Sequence, residues 1–357
     1  MFTLPKTDLV VHPLCLGANV FGWSADEAQS FAVLDAYVAA GGNFIDTADV
    51  YSEWKEGNSG GESEVILGNW MKARNNRSNI VLATKVAKLS TRRGLSPANI
   101  TAALNDSLRR LQTDYVDIYY SHEDDLKVPT EDTLATYTKH ISEGKIRYIA
   151  ASQHSGARLQ HALDTAKANN LASYIALQDH YNLITRNPFE AEQAAVVTKN
   201  GLSALPFYGL AKGFLSGKYR PGITVESVRA EAVKEYMTPT GWATIDALDA
   251  IAKNHGASMS AVALAWLRSN PAVSAPIASA RTVEQLLEII QIIKLSKDEV
   301  EQLNTASRSR STLSSHFDLP PTPNMTLTQA IQTTWHHLCP PPSAQSLEHH
   351  TTPHPGQ

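Results

Sequence analysis

Four ionisable side chains of different types stand at or just past the ends of three successive apolar segments. Asp46 closes Asn43-Phe-Ile-Asp46, Tyr51 follows five residues later, Lys85 closes Ile80-Val-Leu-Ala-Thr-Lys85, and His122 closes Tyr115-Val-Asp-Ile-Tyr-Tyr-Ser-His122. A short apolar run ending in a carboxylate reads as a strand that delivers Asp46, and then the Tyr51 phenol, to the rim of a barrel. A carboxylate, a phenol, an amine and an imidazole gathered at one rim are groups of proton-transfer chemistry. Taken singly, each has a plainer reading. Asp46 is a turn residue or helix cap, Tyr51 a half-buried rim aromatic, Lys85 a solvated strand end, and His122 a hydrogen-bonded loop residue. A metal-dependent barrel hydrolase would need clustered ligands such as His-x-His at the first strand, and the chain has none, so no metal site is predicted.

Those four positions need a scaffold that sets strand ends side by side. Residues 5–16 read as an extended lead-in, with Lys6-Thr7-Asp8 as a turn between two strands, and Leu14-Cys-Leu-Gly17 as the first core strand. Ser24-Ala-Asp-Glu27 has the form of a capping box, with Phe31, Leu34 and Val38 behind it at helical spacing. Gly41-Gly42 stops that helix, and the strand over 43–46 begins at once. A helix from near Glu62, a strand over 80–85, and a helix opened by Ser96-Pro97 follow, the last striped by Ile100, Leu104, Leu108 and Leu111. Further strands end at His122, Ser152, Gln178 and Phe207. Between them come helices opened by Thr130-Glu-Asp, running through Leu159 and Leu163, and starting after Pro188. Beyond a long insertion, helical stretches over 245–252 and 261–267 precede an eighth strand, 273–277, and a last helix, 284–293.

Eight strands alternating with helices at roughly thirty-residue spacing predict an α/β fold, a (β/α)₈ TIM barrel whose sites form at the C-terminal ends of the strands. The near-continuous apolar strands suit parallel strands buried on both faces. A doubly wound sheet would want a glycine fingerprint after the first strand, and Gly17-Ala-Asn-Val-Phe-Gly22 lacks the spacing. The barrel is complete by residue 310. From Ser311 to Gln357 there is no Lys or Arg, while six of the thirteen His and eight of the eighteen Pro lie there. That composition predicts an extended, disordered tail, with one weak helical patch over 327–335.

The totals narrow the class. Hydrophobic residues make up 43% of 357 and charged residues 18%, enough apolar material for a large core. A formal net charge of −4 without any Lys/Arg run argues against nucleic acid or an anionic membrane as partner. Cys15 and Cys339 give neither a disulfide framework nor a metal spacing. With no leader and no membrane-length apolar run, a cytoplasmic protein is the expectation.

The phrase Asn43-Phe-Ile-Asp-Thr-Ala-Asp-Val-Tyr-Ser52, with the Lys85 and His122 strand ends, resembles the signature of the aldo-keto reductases. The resemblance extends over roughly residues 3–306. It implies a catalytic tetrad of Asp46, Tyr51, Lys85 and His122 that reduces an aldehyde or ketone with NADPH. Hydride transfer to a carbonyl leaves an alkoxide that needs a proton, and the resemblance gives that role to Tyr51. A phenol is too weak an acid near neutral pH unless a cation stabilises its phenolate, which falls to Lys85. Asp46 orients Lys85, and His122 polarises the substrate carbonyl.

The same resemblance implies an extended nicotinamide cofactor across the barrel mouth, with Gly17, Asn19 and Asp46 among the residues that bind it. Ser152 and Gln153 in Ala151-Ser-Gln153 match the carboxamide contacts, although Gln153 replaces the usual Asn, and Gln178 matches a second such contact. Pro206-Phe-Tyr-Gly-Leu-Ala-Lys-Gly-Phe-Leu-Ser-Gly-Lys-Tyr219 resembles the loop that stacks on the nicotinamide and covers the pyrophosphate. This assigns Phe207, Tyr208, Leu210, Gly213 and Lys218 to the cofactor. Gly209 stands where Pro is common, which loosens the loop. Ser279-Ala-Arg-Thr-Val-Glu-Gln285 is the adenosine end. There Arg281 would take a 2′-phosphate through its fork, favouring NADPH over NADH, beside Gln285 and Glu288.

Asp49-Val-Tyr-Ser52 and Gly57-Asn-Ser-Gly-Gly-Glu-Ser-Glu64 resemble the bacterial and fungal branch related to potassium-channel β-subunits. That branch implies an alternative, a nicotinamide-binding redox sensor or regulatory subunit with slow turnover. Substrate walls are expected from residues 21–23, 51–54 and 123–125 and from the long loop after Tyr219. Trp23 and Trp54 would clamp a flat carbonyl compound beside Tyr51 and His122. Glu123, Asp124 and Asp125 would make that side acidic and disfavour anionic substrates.

Overall fold

The computed structural model describes residues 1–226 and 230–308, so the expectations for residues 311–357 fall outside the described residues. An antiparallel hairpin, β1 (Phe2–Thr3) and β2 (Val10–Val11), turns at Lys6 as expected, where φ is +61°. Eight parallel strands follow: β3 (Cys15–Gly17), β4 (Phe44–Asp46), β5 (Val81–Val86), β6 (Val116–Ser121), β7 (Ile146–Ser152), β8 (Tyr174–Gln178), β9 (Ser203–Ala204) and β10 (Ile277–Ala278). Their order is β10-β3-β4-β5-β6-β7-β8-β9, each paired in parallel with the next.

The ring closes between β9 and the segment leading into β10. Ala204 N donates to Ala272 O (2.8 Å), Ser274 N to Ala204 O (3.0 Å), and Ile277 N to Pro206 O (2.8 Å). Pro276 has no N–H to place in a ladder, so the eighth strand begins at Ile277 rather than at Val273; Val273 makes only an isolated bridge to Ala204.

The helices are α1 (Glu27–Ala39), α2 (Glu62–Arg74), α3 (Pro97–Leu111), α4 (Thr130–Ser142), α5 (Gly156–Ala168), α6 (Ala194–Lys199), α7 (Pro239–His255), α8 (Met259–Ser269), α9 (Val283–Ile289) and α10 (Lys297–Ser307). The box that opens α1 starts two residues later than the sequence suggested, at Asp26 rather than Ser24. Asp26 accepts from Gln29 N (2.8 Å), and the Gln29 side chain accepts from Asp26 N (3.0 Å). Ala25, buried and bridged to Phe21, keeps the chain extended there. The helix after Pro188 starts as a π-turn over Phe189–Gln193 before α6. The expected helix over 284–293 is the shorter α9. It is followed by α10, whose Ser296/Glu299 capping box is of a kind readable in the sequence but was not foreseen.

Two buried clusters explain why these runs fold this way. Inside the barrel, Cys15, Phe44, Ile118 and Tyr120 pack in layers, and Leu4, Leu9 and Val11 of the hairpin join them. The opposite strand faces bury Leu16, Ile45, Leu82 and Tyr119 under the helices. Every residue of β5 and β6 is buried, as parallel strands covered on both sides require.

Close approach of α2 to α3 depends on Gly68, where an added Cβ would lie 2.2 Å from the Arg110 carbonyl oxygen. Gly68→Ala is expected to cost about 3 kcal/mol of stability by overpacking against backbone. Chemical denaturation measures this, and a loss below about 0.5 kcal/mol would show that α2 can slide freely.

Candidate active site

Adjacent strands bring the four ionisable residues together. Asp46 is in register with Ala83, and Lys85 with Tyr120, so β4, β5 and β6 end side by side. His122 stands one residue past β6, tied by its N–H to Val86 O (2.9 Å). Lys85 is fully buried and spends all three of its N–H bonds here: Asp46 Oδ2 (2.5 Å), Thr47 O (2.8 Å) and Tyr51 Oη (2.8 Å). Tyr51 Oη also donates to Asp46 Oδ2 (3.1 Å), and Gln178 Nε2 donates to Asp46 Oδ1 (3.0 Å). The buried ion pair is therefore hydrogen-bonded on both sides, the condition under which such a pair is tolerated. The loop carrying Tyr51 is pinned at the next residue, where Ser52 Oγ donates to Phe21 O (2.6 Å) and Asn58 Nδ2 donates to Ser52 O (2.8 Å).

Burial dominates the acid–base properties. It pushes the Tyr51 phenol well above its ordinary range, with the Asp46 carboxylate adding to the effect, so Tyr51 carries its proton. Burial also lowers Lys85, against the opposing pull of Asp46. His122 is driven well below its usual value by burial first and then by Lys85 and Lys88, which makes it a neutral imidazole. Its ring meets that of Tyr51 edge-on with centroids 6.0 Å apart, and Nδ1 is buried without a partner among the described residues.

Above these groups lies a cavity of about 580 Å³. It shares Leu210, Lys212, Gly213 and Ser279 with a second cavity of about 380 Å³ that reaches Lys218, Arg281, Gln285 and Glu288. The two make one trough from the tetrad to the start of α9. Gly17, Asn19, Ser152, Gln153, Gln178, Phe207 and Tyr208 all border its first part, as the sequence suggested. Asp46 and Lys85 lie beneath the floor rather than on the wall.

Local packing shapes this trough. Phe207 stacks on His180 (centroids 5.6 Å, 21°), a partner that sequence reasoning did not single out. Gln153, at φ +53°, turns its amide to the His122 carbonyl (3.3 Å). Ser152 Oγ is buried on the wall without a partner among the described residues, a donor waiting for a polar ligand atom. Gly17 is required because a Cβ would come 2.7 Å from Ser279 Oγ. Gly209 packs closely, with a Cβ there 3.0 Å from Leu267 Cδ1, so its loop is held by α8 rather than loosened. The Arg281 N–H donates to Gln285 Oε1 (3.0 Å).

The substrate side differs from expectation. Asp124 is paired with Arg158 (2.6 Å) and Asp125 accepts from Leu95 N (2.9 Å), so both turn away from the main cavity. Glu123 does border it, but at 3.7 Å from Lys88, and Glu53 is engaged by Ser90 N (3.1 Å). Arg93 also lines the cavity and has no ion-pair partner among the described residues. The rim is thus mixed in charge rather than acidic. Trp54 lines the cavity, while Trp23 backs it edge-to-face at 5.7 Å, so the two rings pack on each other instead of clamping a gap. No described residue of the loop after Tyr219 lines the cavity. Lys88, Arg93 and Lys212 were missed in the sequence because single cations in loops carry no spacing signal. Among the described residues no cluster of His, Cys, Asp or Glu fits a metal ion, and no helix is long and apolar enough to cross a membrane.

A (β/α)₈ barrel with Asp, Tyr, Lys and His converging at its C-terminal mouth defines a class, and residues 13–308 match the Aldo/keto reductase family, to which this chain belongs. Among its relatives is the "Uncharacterized oxidoreductase YrpG" of Bacillus subtilis (strain 168), 32% identical, with 83% of this chain and 91% of the relative covered. "Protein tas" of Escherichia coli (strain K12) is 32% identical over 83% of this chain and 93% of its own. A "Putative voltage-gated potassium channel subunit beta" of Schizosaccharomyces pombe is 34% identical over 71% and 75%.

Proposed function

We propose that the protein is a cytoplasmic, NADPH-dependent reductase of small aldehydes or ketones in which Tyr51 is the proton donor. The observation that carries this reading is the Lys85 ammonium, buried 2.8 Å from Tyr51 Oη and 2.5 Å from Asp46 Oδ2 beneath the trough. The residues fit a dinucleotide. The trough is long and continuous, the orphaned Ser152 Oγ faces its reactive end, and Arg281 stands at its far end. NADPH, when bound, supplies the hydride. Ser152, Gln153 and Gln178 would hold its carboxamide, Phe207 its ring, Gly213 and Lys218 its pyrophosphate, and Arg281 its 2′-phosphate.

His122, neutral, hydrogen-bonds the carbonyl oxygen and fixes its direction. Tyr51 then gives its proton to that oxygen as negative charge develops. The phenolate left behind faces the Lys85 ammonium, whose charge Asp46 balances and holds in place.

A second reading is favoured by the relative described as a potassium channel β-subunit, namely a nicotinamide-binding sensor with slow turnover. Fluorescence titration with NADPH and NADH, followed by turnover on a panel of aldehydes and ketones, separates the two. Tight NADPH binding with turnover is expected. Binding without turnover on any carbonyl supports the sensor, and no binding of either nucleotide overturns both.

A further inference from the structure

The substrate half of the trough carries two cations whose hydrogen-bond donors are unused. Lys88 and Arg93 both line it, and both stand on the loop that leaves β5 just after Lys85. The Lys88 side chain is only 26% exposed and meets Glu123 at 3.7 Å, an ion pair too long for a hydrogen bond. Its charge acts on the His122 imidazole, which puts it near the residue that receives the carbonyl. Burial lowers the Lys88 ammonium even though Glu123 pulls the other way, and the like charge of Arg93 adds to the lowering. Arg93 is solvent-exposed and has no hydrogen-bond or ion-pair partner among the described residues.

The loop that presents these two groups is held in place. Ala87, buried, sits at φ +122°, where a residue with a Cβ is strained, and its carbonyl accepts from Gly94 N (2.9 Å). Asn99 Nδ2 donates to Gly94 O (2.6 Å), Leu95 N to Asp125 Oδ2 (2.9 Å), and Arg92 N to the carbonyl of buried Leu89 (2.9 Å). The Arg92 guanidinium is committed to Asp106 (2.9 Å), so of the tandem arginines only Arg93 borders the cavity.

Two carboxylates, Glu53 and Glu123, line the same half, and the four charges sum to zero. The hydrogen bonding does not balance. Glu53 accepts from the Ser90 N–H and hydroxyl, whereas the donors of Lys88 and Arg93 find no acceptor among the described residues. A ligand with acceptor oxygens and one negative charge completes them through charge-assisted bonds. A dianion is matched less well, because Glu53 and Glu123 repel its second charge. Val50 and Trp54 give this half an apolar wall for a carbon skeleton.

We propose that the carbonyl substrate carries a carboxylate at its other end, bound by Arg93 and Lys88 while the carbonyl faces Tyr51 and His122. This rests on the reductase reading and names its substrate class, an oxo acid. The carboxylate is held and left unchanged while the carbonyl is reduced.

The test compares 4-carboxybenzaldehyde with its methyl ester, and 4-oxobutanoate with its methyl ester, so that each pair differs by one charge. With NADPH, kcat/KM should favour the acid by about tenfold or more in at least one pair, the worth of a hydrogen bond to a charged group, and chiefly through KM. Arg93→Gln should cut that preference about tenfold and Arg93→Lys should retain part of it. Arg93→Gln combined with Lys88→Gln should leave acid and ester alike. Arg93 is the cleaner probe, because Lys88 also acts on His122. An equal loss in Lys127→Gln, an exposed lysine outside the cavity, would assign the preference to general surface charge and overturn the proposal. Turnover of the esters with no preference for the acid in either pair overturns it too, and leaves the reductase reading standing. If no carbonyl turns over, that reading falls, and calorimetric titration of both acids with NADP+ present decides the carboxylate site by itself. Binding that Arg93→Gln weakens supports the site; absent binding, or binding indifferent to Arg93, overturns it.

Discussion

Tyr51→Phe is expected to lower kcat for carbonyl reduction by about a thousandfold or more, the range of a lost positioned acid, with NADPH affinity nearly unchanged. The ring would keep its place, because its edge packs on His122 and Trp54 and the following Ser52 is tied to Phe21. What disappears is the one hydroxyl that is at once protonated, open to the cavity and 2.8 Å from a buried ammonium. No neighbour replaces it. His122 is held neutral by burial and by Lys85, and Tyr120 lies fully buried within the barrel. Steady-state rates with a fixed aldehyde, paired with an NADPH titration, measure both halves of the claim. Turnover within tenfold of the parent would remove Tyr51 from the proton-transfer step. A matching loss of NADPH affinity would instead mean that the phenol props the trough open.

The second large effect concerns the other end of the trough. Arg281→Ala is expected to weaken NADPH about a hundredfold, the loss of a charge-assisted fork on phosphate, and NADH by no more than a few-fold. Arg281 lies just before α9, whose Thr282 cap accepts from Gln285 N (3.3 Å) and does not involve the guanidinium. The helix should therefore persist in the variant, and the loss should be one of charge recognition alone. Parallel titrations with the two nucleotides decide it, and equal losses for both would refute the 2′-phosphate assignment.

The sequence was most legible where two independent requirements coincided. Asp46, Lys85 and His122 each end an apolar run, so the strand pattern and the chemical types pointed to the same place. The parallel register then made them neighbours. Phe207 and Gly213 were legible because a whole phrase, not one residue, defined their loop. Legibility failed where tertiary pairing decides the outcome. Asp124 and Asp125 looked like rim acids until Arg158 and the Leu95 N–H claimed them. Arg93, in the loop after β5, has no local pattern to announce that it lines the cavity. The shift of the eighth strand to Ile277 turned on Pro276, whose missing N–H counts only once a partner strand is known.

The barrel wall is uneven around its circumference, and the two halves of the trough rest on different parts of it. β5, β6 and β7 are six or seven residues long and joined by extended ladders, whereas β9 and β10 are two residues each and meet through a handful of backbone bonds. Thermal opening of a ring of staves starts at its least-bonded joint. Lys85 and His122 therefore stand on the stiff arc, and Asp46 ends the short β4 that pairs directly with it. The loops that flank a long ligand spring from the compliant seam, so they can part to admit it or let it go while the acid–base groups stay where they are.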